Sequence, residues 1–220
     1  MLQKSTLAFL KNLKKNNDRE WMETHRKEYE AAKEDFEQLV QSLLQMLGRE
    51  DERFLALKPR DCIFRLHRDV RFSKNKSPFK TNFGAAFSPG GKKDPTGGYY
   101  IHVEPGNSFA GGGTWMPEPD ALRRIRQEID YRLEHFKEIV EKTSFRKRFG
   151  ALDPADALKK VPKGYAADHP AAEYLKLKHF VTGHALSDEQ ICSKDLAKLV
   201  TGSFADLKPL LGFLGEALAE

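Results

Sequence analysis

The stretch DCIFRLHRDVRFSKNKSPFKTNFGAAFS, residues 61–88, decides the fold class of this 220-residue chain. Its first half alternates as a β-strand does, with mostly polar residues at every second position. The apolar side of this run consists of Cys62, Phe64, Leu66, Val70 and Phe72. Only Arg68 interrupts it. A loop containing Pro78 then leads to a second alternating run at residues 81–88, so the pattern predicts an antiparallel β-hairpin.

Further strand patterns follow the hairpin along the chain. Residues 99–104 and 108–115 alternate in the same way and are joined by a Pro-Gly-Asn turn. Residues 178–186 form one more strand pattern. Three consecutive glycines, residues 111–113, imply either a bend or a backbone that something else approaches closely. We therefore predict a mainly antiparallel sheet of about five strands.

Helical spacing of apolar residues surrounds these strands. The longest helix should begin at Asp18, a natural N-cap, and end at Gly48. The other predicted helices cover residues 6–14, 117–139, 154–160, 170–176 and 188–199. The chain is thus predicted to be a single α+β domain, residues 1–220, with the sheet packed against the long N-terminal helix and the further helices.

Composition places the chain among globular proteins. Hydrophobic residues make up 40% and charged residues 31%, a balance typical of neither disordered nor membrane proteins. No apolar run has the length of a signal peptide or a membrane span, so we expect a cytoplasmic protein with no membrane partner. Cys62 and Cys192 lie far apart in sequence and are expected to be reduced, buried side chains.

Familiar catalytic and nucleotide-binding motifs do not occur. The chain has no P-loop, no dinucleotide-binding glycine pattern opening a helix, no HExxH pair and no GxSxG nucleophile elbow. Their absence excludes the commonest nucleotide hydrolases, dehydrogenases, zinc proteases and α/β-hydrolases. The sequence identifies no cofactor.

Positive charge is concentrated in the hairpin. Residues 65–80 contain six basic residues and one acid, Asp69, so this segment carries +5, which equals the formal net charge of the whole chain. A positive electrostatic potential that is concentrated on one segment favours an anionic partner. Arginine and lysine side chains suit phosphate and carboxylate groups, which makes the hairpin a predicted anion-binding site.

Strand alternation places the polar residues of the hairpin on one sheet face, and the next strand would extend that face. The residues that we predict to bind the anionic ligand are Arg65, Arg68, Asp69, Arg71, Lys76, Lys80, Asn82, Tyr100 and His102. Structural roles are open alternatives. Asp69, flanked by Arg65 and Arg71, could form a surface ion pair on a solvated face, and Arg68 could pair with an acid of the long helix.

Other chemistry is also open at this face. His67, His102 and Glu104 have the side chains of a zinc or iron site, although we expect hydrogen-bonded or exposed roles for them and predict no metal. His67 oriented by Asp69 could exchange protons. Four aromatic residues could stack on nucleobases, although core positions are more usual for such side chains: Trp21, Trp115, Phe72 and Phe79.

Three groups of residues form recognisable motifs. The residues of these motifs are Asn16, Asn17, Arg19, Trp21 and Tyr29, then Arg65, Arg68, Asp69, Arg71, Phe72, Ser73, Lys76, Pro78, Phe79 and Lys80, then Gly98, Tyr100 and His102. The patterns are NNxRxW, RxxRDxRFSxxKxPxK and G-x-Y-x-H. With them the chain resembles, over essentially its whole length, a bacterial and fungal family of unknown function. The resemblance implies that the basic hairpin belongs to the family pattern, and it implies no activity, cofactor or substrate.

Three functions are consistent with these observations. The first is an anion-binding domain whose ligand is a phosphorylated small molecule, a nucleotide or a nucleic-acid backbone. The second is an enzyme acting on an anionic small molecule, in which histidine and aspartate side chains or Tyr100 move protons. The third is a protein-interaction domain whose basic hairpin meets an acidic partner. The sequence does not indicate the oligomeric state.

Overall fold

The computed structural model describes residues 1–219, which form ten α-helices and four β-strands. These residues divide into two compact units. The first unit comprises Met1–Lys93, Tyr100–Ala110 and Ala185–Gly202, and the second comprises the other described residues. The single domain expected from the chain length stays a prediction.

The first unit is built on three N-terminal helices, α1 (Lys4–Lys15), α2 (Arg19–Thr24) and α3 (Arg26–Gly48). Apolar residues recur every three or four positions on one side of α1 and α3, and these residues are buried. Phe36 of α3 also stacks on Phe83, with ring centroids 5.3 Å apart. The unit also contains α4 (Pro59–Cys62), α9 (Asp188–Ile191) and two short 3₁₀ helices, Glu52–Ala56 and Gly91–Lys93.

The predicted helix from Asp18 to Gly48 is present as two helices, α2 and α3. Asp18 caps α2 as expected, because its Oδ1 accepts a hydrogen bond from Trp21 N at 2.8 Å. The break lies at His25, whose backbone leaves helical geometry with φ −106° and ψ 22°. Its ring stacks on Trp21, and its Nδ1 donates to the Trp21 carbonyl at 2.9 Å. This local bond competes with a continuous helix, so the prediction of one helix is wrong.

The sheet contains β1 (Phe83–Phe87), β2 (Gly98–Val103), β3 (Ser108–Thr114) and β4 (Phe180–Leu186). The strands are antiparallel and lie in the order β1-β2-β3-β4. In β2 the predicted alternation is confirmed, since Ile101 and Val103 are fully buried while Tyr100 and His102 are half-buried. The α+β class with an antiparallel sheet is therefore correct.

No regular strand precedes β1 in residues 1–82, so the sheet has four strands and not about five. Only two isolated antiparallel bridges join the limbs of the predicted hairpin, Ile63 to Ala85 and His67 to Phe79. Pro59 opens α4, which occupies the start of the predicted strand. Phe72, expected on the apolar side, is 95% exposed. The predicted first strand is thus an extended, irregular limb.

The second unit buries a cluster of apolar side chains. Its helices are α5 (Pro119–Tyr131), α6 (Leu133–Val140), α7 (Thr143–Phe149), α8 (Ala172–Leu175) and the larger part of α10 (Leu196–Leu218). The cluster includes Ile129, Phe136 and Phe213. α10 extends beyond the predicted end at residue 199 because a buried apolar stripe continues past Pro209.

The glycine triplet of β3 has a structural explanation in the second unit. A Cβ atom at Gly111 or Gly113 would overlap the backbone carbonyls of Thr182 and Phe180 in β4. Close approach of another backbone, one of the two predicted causes, is therefore confirmed. Among residues 1–219, no helix combines the length and the apolar character needed to cross a membrane.

Candidate functional site

A connected set of polar side chains lies on one side of β2 and on the segment that enters β1, all within the first unit. Because β2 alternates, Tyr100 and His102 lie on the side opposite Ile101 and Val103. The set consists of Lys80, Asn82, Tyr100, His102 and Glu104, and is called here the sheet-face site.

Glu104 is the centre of hydrogen bonding in the sheet-face site. Its Oε1 accepts from Lys14 Nζ at 3.2 Å and from Thr81 Oγ1 at 2.9 Å, and its Oε2 accepts from Asn107 Nδ2 at 3.1 Å. Burial acts to raise the pKa of Glu104, but the hydrogen bonds that the carboxylate accepts outweigh burial and lower the pKa to about 2. Glu104 is therefore charged at neutral pH, and both of its oxygens are already hydrogen-bonded.

His102 lies between Glu104 and two other polar side chains. Its Nε2 is 3.4 Å from Glu104 Oε2, and its Nδ1 is 3.3 Å from Tyr100 Oη and 3.4 Å from Asn82 Nδ2. A carboxylate only accepts, whereas hydroxyl and amide groups can donate, so this network assigns a neutral ring with its proton on Nε2. Burial lowers the pKa of His102, Glu104 opposes this effect, and the charge of Lys80 adds to it.

The Tyr100 hydroxyl occupies space that Gly84 leaves open. A Cβ atom at Gly84 would overlap this hydroxyl and would lie 3.1 Å from the ring Cζ. The Tyr100 ring also packs edge-on against Phe64, with centroids 6.2 Å apart. Burial raises the pKa of Tyr100 to about 12, so the hydroxyl stays protonated and can donate to His102.

Lys80 is a half-buried cation next to a second cation. Its Nζ lies over the Phe64 ring, 5.4 Å from the centroid. Burial lowers the pKa of Lys80, and the charge of Arg65 lowers it further. Neither Lys80 nor Arg65 forms an ion pair with a carboxylate anywhere in residues 1–219. This part of the site therefore carries positive charge that no direct ion pair in the described chain neutralises, although the charge of Arg65 lowers the pKa of Asp69 at longer range.

Three of the predicted ligand residues lie in the loop of residues 69–77, called here the basic loop. Asp69 and Arg71 form an exposed ion pair with Oδ2 and Nη2 2.7 Å apart, and the hydrogen bonds from Arg71 lower the pKa of Asp69. Lys76 Nζ donates to the Val70 carbonyl at 3.0 Å. These side chains are mostly engaged within the loop itself, as the surface-pair alternative expects.

Arg68 connects the two ends of the basic loop. Its Nη1 donates to the Ser77 carbonyl at 3.1 Å, and its Nη2 donates to Ser73 Oγ at 3.2 Å. Within residues 1–219 it forms no ion pair with an acid of α3, the partner considered from sequence. The half-buried guanidinium is satisfied by loop oxygens instead, which gives it a structural role in this loop.

His67 has different neighbours from His102. Its ring packs edge-on against Phe79 with centroids 5.0 Å apart, and it lines a cleft of about 230 Å³ together with side chains of α2 and α3. No hydrogen bond joins His67 to Asp69 in the described chain, so the expected orienting pair is not formed. Residues 1–219 contain no group of three or more His, Cys, Asp or Glu side chains arranged to hold a metal ion.

The structure assembles part of the predicted ligand set. Four members share the sheet-face site, with Arg65 close to them: Lys80, Asn82, Tyr100 and His102. Four others lie in or beside the basic loop: Arg68, Asp69, Arg71 and Lys76. Sequence reasoning missed Thr81, Asn107 and Lys14, and it considered Glu104 as part of the polar face and as a metal ligand, but not as the centre of a hydrogen-bond network. Lys14 is 90 residues from Glu104, so no local pattern indicates their contact.

Comparison with known families gives one match. A model of the family described as "Conserved hypothetical protein (DUF2461)" matches residues 5–213, which is well over half of the chain. This agrees with the expectation of a family of unknown function. No curated protein and no solved structure matches the chain.

Proposed function

The chain belongs to DUF2461, a family of conserved hypothetical proteins, and we propose that its sheet-face site binds a phosphorylated or otherwise anionic small ligand. The family description names no activity, so the proposal rests on the site. The observation that carries it is the pair of neighbouring cations Lys80 and Arg65, neither of which forms a direct ion pair with a carboxylate in residues 1–219.

A half-buried ammonium group is unfavourable unless an anion accompanies it. Burial is the main cause of the lowered pKa of Lys80, and two smaller effects come from neighbouring charge: Arg65 lowers the pKa of Lys80 further, and Lys80 lowers the pKa of His102. A bound anion would relieve both. Glu104 does not serve this purpose, because no ion pair joins it to Lys80 in residues 1–219 and its oxygens accept hydrogen bonds from other groups.

The side chains around Lys80 suit an oxyanion. Arg65 offers a planar fork that can bind two oxygens at once, and Lys80 adds a compact charge. Asn82 adds an amide group on the same side of the sheet. The rings of Phe64 and Tyr100 provide an apolar wall for the body of a ligand. Phosphorylated small molecules, nucleotides and a nucleic-acid backbone all present the required group.

Calorimetric titration with sulfate and pyrophosphate tests the proposal. The variants are Lys80→Met, which keeps the length of the side chain and removes its charge, and the control Lys27→Met at an exposed lysine of α3. We expect Lys80→Met to raise Kd by roughly 10- to 150-fold, because a hydrogen bond to a charged group contributes about 1.5–3 kcal/mol. Equal affinities in all three proteins, or no binding by the wild type, would contradict the proposal.

The affinity for sulfate should also increase as the pH falls. A bound anion reduces the effect of Lys80 on His102, so the pKa of His102 is higher in the complex than in the free protein. Linkage then strengthens binding as the pH falls through the pKa of His102. Titrations between about pH 7.5 and 5.5, where sulfate keeps its charge, measure the trend. The increase in sulfate affinity at lower pH should disappear in His102→Gln.

General acid–base catalysis at the same site is a second candidate function. It is favoured by the order of hydrogen bonds from Tyr100 Oη through His102 to Glu104 Oε2, which holds a neutral imidazole in one tautomer. The anion would then be a substrate and His102 the proton carrier. Phosphorus NMR of phosphorylated compounds incubated with the protein tests this. Turnover that is lost in His102→Gln, while sulfate binding is kept, supports catalysis, and no turnover by the wild type counts against it.

A further inference from the structure

Phe72 is the most exposed large apolar side chain in residues 1–219, with 95% of its surface in solvent. Single apolar residues are ordinary on protein surfaces. What distinguishes Phe72 is its position within the basic loop, where every other residue except Val70 is polar or charged. The chain therefore presents one aromatic ring in polar, cationic surroundings.

Hydrogen bonds within the basic loop fix its shape. Arg68 donates to the Ser77 carbonyl, and Asn75 Oδ1 accepts from Ser77 N at 2.9 Å. On the other limb, Asp69 Oδ1 accepts from Arg71 Nε at 3.0 Å. A loop that is already ordered loses little conformational freedom when a partner binds. Phe72 is thus presented by a preorganised element.

One cation lies near the Phe72 ring, and two more follow it in the sequence. The Arg71 guanidinium carbon lies 5.8 Å from the ring centroid, and the exposed Lys74 and Lys76 follow within four residues. Asp69 is the one acid of the basic loop, which leaves a net charge of +2 before the adjacent Arg68 is counted. An aromatic ring among cations is the arrangement with which proteins bind single strands, because the ring stacks on a base while the cations contact phosphates.

We propose that the basic loop binds single-stranded nucleic acid, with Phe72 stacked on a base, the exposed Lys74 near a phosphate, and Arg71 and Lys76 adding positive charge beside it while they keep their bonds within the loop. Insertion of Phe72 into a lipid surface fits less well, because the guanidinium over its ring and the polar residues beside it would have to be desolvated as well. A duplex fits less well because its bases are already stacked.

The other aromatic residues considered for base stacking have structural contacts. Phe79 is buried, Trp21 stacks on His25 with centroids 4.1 Å apart, and Trp115 packs against His179 with centroids 4.5 Å apart. The inference from Phe72 is independent of the sheet-face site. Either one can fail without the other, because Phe72 lies outside the sulfate-binding groups and Lys80 lies outside the basic loop.

Fluorescence anisotropy with labelled oligothymidylate and oligouridylate of about 12 nucleotides tests the proposal. The variants are Phe72→Leu, which keeps an apolar side chain and loses stacking, and Phe72→Tyr, which keeps stacking. Tyr131→Leu, at a residue 74% exposed on α5, is the matched control. We expect Phe72→Leu to raise Kd roughly 5- to 150-fold, the range of one base–aromatic stack. Phe72→Tyr and Tyr131→Leu should stay near wild type.

Salt dependence and lipid binding complete the test. Affinity of the wild type should fall between about 50 and 200 mM salt, and Lys74→Ala should reduce that slope. Sulfate binding at the sheet-face site should be unchanged in Phe72→Leu, which separates the two proposals. No oligonucleotide binding, equal binding by Phe72→Leu, or binding to phosphatidylserine vesicles that is tighter than oligonucleotide binding and is lost in Phe72→Leu would each overturn the proposal.

Discussion

Replacing Glu104 by glutamine isolates the charge at the centre of the sheet-face site. The pKa of Glu104 is lowered from 4.5 to about 2, and this difference corresponds to about 3 kcal/mol at about 1.4 kcal/mol per pKa unit. Solvent reduces that value, because the Lys14 side chain that donates to Glu104 is 60% exposed. We therefore expect Glu104→Gln to lower the free energy of unfolding by about 1–2 kcal/mol at neutral pH.

The pH dependence of this difference has a definite sign. The pKa of Glu104 is lower in the folded chain than in the unfolded chain, so its contribution to stability is complete above the ordinary value of 4.5 and is lost as the pH falls towards 2. The stability gap between wild type and Glu104→Gln should therefore not shrink from about pH 7 to 5, and it should widen slightly where His102 titrates, because Glu104 also favours the protonated form of His102. By about pH 3 it should have fallen to half or less.

Urea unfolding followed by circular dichroism at several pH values measures the gap. Glu34→Gln, at an exposed glutamate of α3, is the control and should differ from wild type by less than about 0.5 kcal/mol at every pH. A Glu104→Gln variant as stable as wild type at neutral pH would refute the assigned network. A gap that persists unchanged at low pH would show that the loss comes from packing and not from charge.

Two further substitutions test the geometry around the site in the same assay. Gly84→Ala should lower the free energy of unfolding by about 1–3 kcal/mol, because the added Cβ overlaps the Tyr100 hydroxyl. The double variant Gly84→Ala/Tyr100→Phe lacks that hydroxyl and should recover part of the loss. If it recovers nothing, this overlap is not the source of the strain. Asn17→Ala should cost about 1–3 kcal/mol, because Asn17 donates to the Phe79 carbonyl and accepts from Phe79 N, both at 3.0 Å. Asn17→Asp keeps the acceptor and removes the donor. If Asn17→Ala and Asn17→Asp both lose as little stability as Glu34→Gln, the two hydrogen bonds to Phe79 do not stabilise the fold.

Strand alternation predicted β2 well because burial of one side is nearly complete there. Ile101 and Val103 are fully buried, and a shift of one residue would expose both, so the register follows from the sequence. Residues 61–73 alternate almost as regularly, yet their limb is irregular. Three backbone hydrogen bonds join it to the other limb, Phe64 to Gly84, Lys80 to Leu66 and Arg68 to Pro78, and the Arg68 side chain then bonds to loop oxygens up to nine residues away. Alternation of polar and apolar residues does not by itself distinguish a regular β-strand from an extended, irregular limb of this kind.

The candidate site was predictable only where local pattern determines it. Tyr100 and His102 share a side of β2 because they are two residues apart, and Lys80 lies at the end of a visible basic run. The environment of Glu104 was not predictable, because one of its donors comes from α1. The interruption between α2 and α3 was missed for a similar reason, since it depends on the side-chain geometry of His25.

The contact between α1 and the end of β2 connects the fold to the proposed function. Glu104 is the acid nearest His102, and in isolation it would be an attractive partner for any nearby cation, including Lys80. Lys14, Thr81 and Asn107 instead saturate its oxygens, which reduces what Glu104 can offer to Lys80. If the sheet-face site binds an anion as proposed, the positive charge of Lys80 and Arg65 is then left for that ligand. Lys14 would then affect anion binding without touching the anion, because it keeps the neighbouring carboxylate engaged.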